Sequence, residues 1–154
     1  MQKTLKTNLF DMNSFKRPES VLVIITAESS GNVLMLRRKD DPDFWQSVTG
    51  SLEDHEGAFE TAMREVREET GFLPQEGQLY DLAREVTFEI FAHFRHRYAP
   101  GVTHCKEHWF KMVLRVEQVP LLTEHTEFCW VPPQKAAELT KSWSNRQAIL
   151  EFAI

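Results

Sequence analysis

The hydrophobic and polar positions in the first third of the chain follow the pattern of β-strands. Ser20–Ala27 is an almost continuous run of β-branched and apolar residues, which is typical of a strand buried on both faces. Val33–Arg38 has the pattern of a second strand, and the turn signal at Glu28–Asn32 predicts a hairpin between the two. Asp40–Asp43 interrupts the pattern, and a short strand is predicted at Phe44–Val48.

The next segment has the spacing of a helix. From about Ala58 to Thr70, apolar residues recur at positions i, i+3, i+4 and i+7, which are Phe59, Ala62, Met63 and Val66. Gly71 follows directly, and glycine readily adopts the left-handed conformation that ends many helices. We therefore predict one helix that ends at this glycine.

The second half of the chain is predicted to contain aromatic-rich strands followed by two helices. Strands are predicted at Leu79–Arg95, His108–Val116 and Glu127–Val131, with a loop at Pro74–Gly77 and a turn at Tyr98–Val102. Helices are predicted around Gln134–Leu139 and from an N-cap at Ser144 or Asn145 to about Phe152. This order of elements predicts an α/β fold, a sandwich with a mixed β-sheet between helices.

Composition and charge narrow the class of protein. With 154 residues the chain has the length of one domain, and its formal net charge of −5 argues against nonspecific nucleic-acid binding. Two cysteines, Cys105 and Cys129, are too few for a disulfide framework, so we expect free thiols. No apolar run approaches the roughly 20 residues of a membrane span, and the N-terminus lacks a signal-peptide core. A cytoplasmic protein without a nucleic-acid or membrane partner is expected, and the sequence leaves monomer and homodimer open.

Acidic residues on the predicted helix indicate chemistry. Glu65, Glu68 and Glu69 lie at positions i, i+3 and i+4 and so share one helical face, where like charges repel. A divalent cation would turn that repulsion into ligation, and carboxylate oxygens suit Mg²⁺, with Mn²⁺ as a substitute. The alternative is a solvated helix face in which Arg64 pairs with Glu68.

The register of the surrounding residues favours the metal site. Gly50–Phe72, called the acidic box below, fits the pattern G-x5-E-x7-R-E-U-x-E-E-x-G-U at every fixed position, where U is a bulky apolar residue. This pattern is the Nudix box, and the chain resembles the Nudix hydrolases, which cleave nucleoside diphosphates linked to another group. The resemblance implies an α/β/α sandwich and a metal-dependent attack of water on a phosphoanhydride.

Each acidic residue of the box has an expected role. Glu65 and Glu69, one turn apart, are the first choice for direct metal ligands, and Glu68 is expected to add a ligand directly or through water. Glu56 would bind the metal through water or orient the loop, while Arg64 is expected to orient the glutamates. Beside them, backbone amides and a hydroxyl would approach the phosphates or the metal, from Thr49 and Gly50.

A further acidic residue from outside the box is common in this family, as metal ligand or general base. Glu124 is the best candidate because it precedes the strand that carries Trp130, where a carboxylate can project into the site. Glu127 is the competing candidate. Either one would complete the metal shell or accept a proton from the attacking water. The residues expected to act in catalysis are Arg64, Glu68 and Glu124.

Residues outside the box are similar to a narrower group, the bacterial dihydroneopterin triphosphate pyrophosphatases. The similarity rests on Lys16–Pro18, Val33–Ser51, Phe88–Thr103, Thr123–His125 and Leu139–Ile149. It implies hydrolysis of dihydroneopterin triphosphate to the monophosphate and pyrophosphate, with Glu65, Glu69 and Glu124 on the metal. It also implies contacts to this small-molecule triphosphate from Lys16, Arg38, Thr49, Gly50, Phe88, Glu89, Ile90, Phe91 and Ser142.

The implied substrate contacts agree with the chemistry of the residues. Lys16 and Arg38 are cations suited to a triphosphate, and Phe88–Phe91 offers an apolar wall for a flat pterin. Alternation along a strand would place Phe88 and Ile90 on one face, so some of these contacts would come from the backbone. The alternative is that Phe88–Phe91 belongs to the core.

Two other functions stay open at this stage. One is a pyrophosphohydrolase that prefers a dNTP such as dATP, because purine and pterin triphosphates share shape and charge. The other is a noncatalytic Nudix-fold module that binds a nucleotide, which we would expect to lack one or more box glutamates. Residues 1–15 are expected to be an N-terminal extension, flexible or not, and residues 16–154 a single Nudix hydrolase domain.

Overall fold

The computed structural model describes residues 15–154, which contain a seven-stranded sheet with helices packed on both faces. Its strands are β1 (Glu19–Ala27), β2 (Val33–Arg38), β3 (Trp45–Gln46), β4 (Val48–Ser51), β5 (Gly77–Glu89), β6 (His104–Leu114) and β7 (His125–Val131). Its α-helices are α1 (Ala58–Thr70), α2 (Pro133–Leu139) and α3 (Trp143–Phe152), with short 3₁₀ helices at Pro74–Glu76 and Ala92–Arg97. The extension predicted at residues 1–15 lies outside the described residues except for its last member, so the division of the chain stays a prediction.

The central strand, β1, changes partners along its length. On one side it runs parallel to β6 from end to end. On the other side it pairs antiparallel with β4 through its first half, and with β2 only where Thr26 lies opposite Val33. The predicted hairpin of β1 and β2 is therefore confirmed at the turn, but the two strands then diverge. β4 takes the vacated place and carries the start of the acidic box alongside the first half of β1.

Side chains alternate along β1, so this strand contributes to a hydrophobic layer on each face of the sheet. Val21, Val23 and Ile25 belong to the layer under α1, and Leu22 and Ile24 belong to the layer under α2 and α3. All five are at most 2% exposed. The predicted sandwich of a mixed sheet between helices is confirmed.

Helix α1 has the predicted bounds, and only two of its four regularly spaced apolar residues are buried. Ala62 and Val66 are almost fully buried, whereas Phe59 and Met63 are 44% and 38% exposed. The buried stripe continues from Val66 to Glu69, and Met63 lies one position, or about 100°, away from it. The helix therefore directs a carboxylate toward the interior in addition to its buried apolar side chains.

The strand predicted at Leu79–Arg95 is wrong at its C-terminal end, because β5 stops at Glu89. The chain then forms the 3₁₀ helix, which packs Phe91 and Phe94 against Phe44 with ring centroids 5.5 and 6.2 Å apart. Burial of this aromatic cluster compensates for the strand pairing that is lost there. Strand β6, which runs antiparallel to β5, begins four residues earlier than predicted.

The N-cap of the last helix is Ser142, not the predicted Ser144 or Asn145. The Ser142 hydroxyl accepts a hydrogen bond from the Asn145 amide at 3.2 Å. Asn145 is buried in the first turn, where its side-chain amide exchanges two hydrogen bonds with Ser47, at 2.9 and 3.0 Å. This contact ties α3 to the connection between β3 and β4, which leads into the acidic box.

Both cysteines are free thiols, as predicted. Cys105 is buried in β6, where burial raises the pKa of its thiol to about 11, and its sulfur lies 3.3 Å from the Ser20 hydroxyl. Within residues 15–154, no helix is both long enough and apolar enough to cross a membrane.

The end of α1 generates a prediction about stability. Gly71 has φ +79°, and an added Cβ would lie 3.2 Å from Leu121, whereas Gly31 has φ +75° and open space around it. We expect Gly31→Ala to lower the free energy of unfolding by roughly 1–2 kcal/mol through the left-handed conformation alone. Gly71→Ala should lower it further, because contact with Leu121 adds to that strain. Urea unfolding of both variants measures the difference, and equal losses would contradict a packing role for Leu121.

Candidate active site

A cavity of about 910 Å³ lies where the first half of β1, the end of β5 and the start of α3 meet. Most of the residues predicted for the site line this cavity: Lys16, Arg38, Thr49, Gly50, Glu69, Phe88, Glu89, Ile90, Phe91, Glu124 and Ser142. Three others, Arg64, Glu65 and Glu68, do not form part of its wall.

The acidic end of the cavity is built on a buried pair of glutamates. Glu69 is 3% exposed, and burial together with the charge of Glu65 raises the pKa of its carboxyl well above the usual range. Burial also raises the pKa of Glu65, which is hydrogen-bonded to Glu69. The Thr49 amide donates to Glu69, yet Glu69 Oε1 has no hydrogen-bond partner. The pair therefore holds a proton more tightly than an ordinary glutamate does, and Glu69 keeps a buried oxygen that no described residue satisfies.

Gly50 allows this pair to approach the sheet. A Cβ atom at position 50 would lie 1.8 Å from Glu65 Oε2, inside the van der Waals radius of the carboxylate. Any other residue would displace Glu65 from its place behind Glu69. The glycine that opens the acidic box is thus required by the packing of Glu65 against β4.

Arg64 holds the glutamates from outside the cavity. Its guanidinium donates to Glu56 at 2.7 and 2.9 Å, to Glu65 at 3.3 Å and to Glu68 at 3.1 Å, and it also donates to the Ser51 carbonyl. The hydrogen bond from Arg64 is the largest cause that lowers the pKa of Glu56 to about 2. This geometry gives Arg64 the orienting position expected of it, and it keeps half-exposed Glu68 outside the cavity.

The two acidic candidates outside the box occupy different environments. Glu124 lines the cavity, and its charge acts on Glu65, Glu69 and Lys16. Glu127 lies on β7, ion-pairs with Arg37 and does not line the cavity. The geometry therefore favours Glu124 as the residue that approaches the acidic pair.

A cationic wall faces the acidic end. This wall consists of Lys16, Arg38 and Arg97. Burial lowers the pKa of Lys16, and the nearby charges of Arg97 and Arg38 lower it further. Asp40 accepts hydrogen bonds from both arginines, and Arg38 lies 4.4 Å over the ring of Phe94. Three cations around one carboxylate leave a net positive charge, which suits a phosphate chain.

The opposite end of the cavity is more apolar. Phe88 faces it from β5, opposite Cys105, and Ile90 is 3% exposed. Strict strand alternation does not govern the next residues, because β5 ends at Glu89, whose carboxylate accepts a hydrogen bond from Arg95 at 2.7 Å. All four residues of 88–91 therefore reach the cavity wall, which the assumption of a continuous strand did not predict.

Glu107 in β6 is a cavity residue that the sequence analysis missed. It is 4% exposed, it accepts a hydrogen bond from the Trp109 indole at 3.1 Å, and the Ser144 hydroxyl also bonds to it. Burial raises the pKa of its carboxyl to about 7. The signal was present in the strand pattern, because Glu107 shares the inward face with Cys105 and Trp109.

His125, the first residue of β7, was also missed. Its ring is buried. Burial, and then the charge of Arg38, lowers the pKa of this histidine to about 4. The Nε2 atom lies 3.3 Å from the Gln46 amide and 3.9 Å from Glu69 Oε1. A neutral imidazole thus borders the acidic pair, and its position directly after Glu124 was the signal available in the sequence.

The residues at the acidic end fit a divalent cation. Glu69 presents a buried oxygen without a partner, and the space that Gly50 leaves open brings a second carboxylate, Glu65, to it. All of the donors are oxygens, as Mg²⁺ and Mn²⁺ prefer. Among residues 15–154, no group of three acidic, histidine or cysteine side chains is already arranged to hold a metal ion. Glu124 acts on the pair through its charge.

A family model for the NUDIX domain matches residues 16–152. The chain belongs to the NUDIX family. Nudix hydrolases generally use a divalent metal ion, in agreement with the chemistry of the acidic end. The match spans every residue that lines the cavity.

Several known Nudix enzymes resemble this chain over most of its length. It is 54% identical over 142 residues to a dihydroneopterin triphosphate diphosphatase of Escherichia coli K12, covering 91% of this chain and 95% of the relative. It is 49% identical over 145 residues to a diphosphatase of the same name from Haemophilus influenzae, covering 93% and 92%. The structure of the E. coli dihydroneopterin triphosphate pyrophosphohydrolase superposes with a TM-score of 0.88 at 54% identity, covering 90% and 97%.

The raised pKa of Glu107 predicts a pH-dependent stability. Because the pKa of this carboxyl rises from 4.5 to about 7 on folding, its favourable contribution is complete below pH 4.5 and is lost as the pH rises through about 7. Glu107→Gln should therefore flatten the decline in the free energy of unfolding over that range, by roughly 2–3 kcal/mol. Urea unfolding at a series of pH values, with exposed Glu138→Gln on α2 as the matched control, measures the effect. Parallel pH profiles for wild type and Glu107→Gln would contradict it.

Proposed function

We propose that this Nudix protein is a Mg²⁺-dependent pyrophosphohydrolase that converts dihydroneopterin triphosphate and water into dihydroneopterin monophosphate and pyrophosphate, a step of folate biosynthesis. The observation that carries the proposal is one cavity in which a buried glutamate pair faces a cationic wall and an apolar end. A triphosphate attached to a flat heterocycle complements these features, because its phosphates suit a metal ion and cations and its ring suits an apolar surface. Similarity to diphosphatases named for this substrate supports the choice.

We assign Glu65, Glu69 and Glu124 to the divalent ion, with Mn²⁺ as a substitute for Mg²⁺. When bound, such an ion neutralises charge on the phosphate oxygens and lowers the pKa of a coordinated water. Burial, and then repulsion between neighbouring carboxylates, raises the pKa values of Glu65 and Glu69. A nearby cation would stabilise the charged forms against both effects, which supports the assignment. Arg64 and Glu56 act through these residues by holding α1 and the box loop together.

The other residues act on the substrate. Lys16, Arg38 and Arg97 hold the phosphate chain, and the fixed orientation of Arg38 over Phe94 means that little side-chain freedom is lost on binding. The oxygen of water forms a bond to phosphorus, the bridging P–O bond breaks, and pyrophosphate leaves with the bonding electrons. The proton released from water passes to a carboxylate at the acidic end. Glu124 is our candidate for this carboxylate, because it lines the cavity and its charge acts on Glu65 and Glu69.

The location and partners of the protein remain expectations from the sequence. A cytoplasmic enzyme that acts on a small-molecule triphosphate, without a nucleic-acid or membrane partner, is consistent with the proposed reaction. Retention of Glu65, Glu68 and Glu69 argues against a noncatalytic binding module. A preference for a dNTP such as dATP is the alternative that the substrate experiment below tests.

Substitution of the acidic residues tests the assignment of the site. We expect Glu69→Gln to reduce turnover more than about 100-fold and Glu124→Gln to reduce it by roughly 10²–10⁴-fold, because each loses a charge at the acidic end. Glu127→Gln is the matched control, since this side chain is half-exposed, pairs with Arg37 and lies outside the cavity. Steady-state kinetics measures all three. Wild-type turnover by Glu124→Gln, together with loss in Glu127→Gln, would reverse the assignment.

Substrate competition tests the function. With Mg²⁺ we expect release of pyrophosphate, and the highest kcat/KM for dihydroneopterin triphosphate in a panel that includes dATP, dGTP, dCTP and dTTP. Chelation of divalent cations should stop the reaction, and addition of Mg²⁺ should restore it. A higher kcat/KM for a dNTP would move the function to nucleotide metabolism, and turnover that resists chelation would refute the metal-dependent mechanism.

A further inference from the structure

Glu107 is a buried acidic side chain in the cavity wall that the hydrolytic chemistry does not use. Its carboxyl lies on the central part of the sheet, opposite Ser20 of β1 and Val86 of β5. No lysine or arginine contributes to its environment, which consists of burial and the hydrogen bonds from Trp109 and Ser144. A carboxylate in such a position is costly unless a ligand supplies further donors.

The position of Glu107 separates it from the acidic end. Thr49 pairs with Leu22 and Glu107 pairs with Ser20, on opposite sides of β1. Because neighbouring strands are spaced by about 4.8 Å, β4 and β6 stand roughly 10 Å apart across β1. Glu107 therefore lines the same cavity as the acidic pair but lies across β1 from Thr49, on the side of Phe88.

The surroundings of Glu107 suit the edge of a flat ring. Phe88 lies on the same face of the sheet, two residues along β5 from Val86, the partner of Glu107. On the helix side, the Ser142 hydroxyl lies 3.1 Å from the Ser144 hydroxyl. A carboxylate can accept about four hydrogen bonds, of which Trp109 and Ser144 supply two. The remaining capacity matches two parallel N–H donors, the arrangement that forms bidentate pairs with carboxylates.

We propose that Glu107 is a specificity-determining residue that accepts hydrogen bonds from the ring N–H and the exocyclic amino group of a 2-amino-4-oxo heterocycle. A pterin presents these two donors side by side, and so does guanine. Adenine presents an acceptor at the corresponding ring nitrogen, and hypoxanthine lacks the amino group. The inference rests on the proposed pyrophosphohydrolase function and names the part of the substrate that the cavity selects.

The pKa of Glu107 supports the inference but does not carry it. Burial raises this pKa to about 7, so the cost of the charge in the free protein is high. Two ligand donors would offset that cost, whereas a ring without them would leave the carboxylate unpaired. A site built for such donors discriminates strongly against analogues that lack them.

Two nucleotide substrates isolate the exocyclic amino group. dGTP and dITP differ only in that group, so the ratio of their kcat/KM values reports its recognition. We expect wild type to favour dGTP by roughly 10–100-fold, and Glu107→Gln to reduce the ratio to about 1–3 because the amide nitrogen cannot accept.

A positional control separates recognition from packing. Ser144→Ala removes one hydrogen bond to Glu107 but keeps the carboxylate, so it should preserve the dGTP preference to within about threefold. Thermal unfolding confirms that both variants are folded before kinetics are compared. An unchanged dGTP to dITP ratio in Glu107→Gln, or an equal loss on both substrates, would assign Glu107 a structural role only and overturn the inference.

A binding measurement separates this inference from the proposed function. Neopterin, which carries no phosphate, can be titrated into each protein and followed by its own fluorescence. We expect Kd to rise at least about tenfold in Glu107→Gln relative to wild type and Ser144→Ala. If wild type hydrolyses none of the triphosphates, the proposed function fails, while this shift in Kd would still support Glu107 as the residue that recognises the ring. An unchanged Kd overturns the inference whatever the hydrolytic activity.

Discussion

The contact between Gly50 and Glu65 is the constraint on which the acidic end of the molecule depends. Glu65 can lie behind Glu69 only because position 50 has no side chain, and the two carboxylates share a buried space as a result. Their mutual repulsion is a cost that the fold has to offset elsewhere. Arg64 reduces part of it by bonding to Glu65 and Glu56, which also fastens the box loop to α1. The outcome is a site whose unsatisfied charge favours a divalent cation.

The change of partners along β1 converts this local arrangement into an extended cavity. Because β2 diverges from β1 after the turn, β4 can pair with the first half of β1 and present Thr49 and Gly50 on opposite faces. Gly50 faces α1 and the glutamates, while Thr49 lies on the face of Glu107 and Phe88. One short strand thus borders the glutamate pair on one face and the face of Glu107 on the other. The hydrogen bonds between Asn145 and Ser47 hold α3 against the sheet, where its first turn forms part of the cavity wall.

Local patterns predicted much of the fold, and their failures have a common physical cause. The bounds of α1 and the positions of β1 and β2 followed from periodicity and turn residues, which act over a few residues. The end of β5 was wrong because the aromatic packing of Phe91 and Phe94 against Phe44 outweighs strand propensity there. The exposure of Phe59 and Met63 on α1 has a similar cause, since contact with the sheet selects the stripe that ends in Glu69. In both cases a distant part of the chain decides the outcome.

The sequence by itself determined the chemistry of the site, because the acidic box specifies which groups are available and places its glutamates on adjacent turns of one helix. It also identified Lys16, Arg38 and Glu124 as charged groups near that chemistry. Only the tertiary structure decided which of them meet: it brought Glu124 into the cavity, left Glu127 paired with Arg37, and buried Glu107 opposite β1. The reason is that solvent exposure and the distance between charges depend on strand register across the sheet, and residues far apart in the chain set that register.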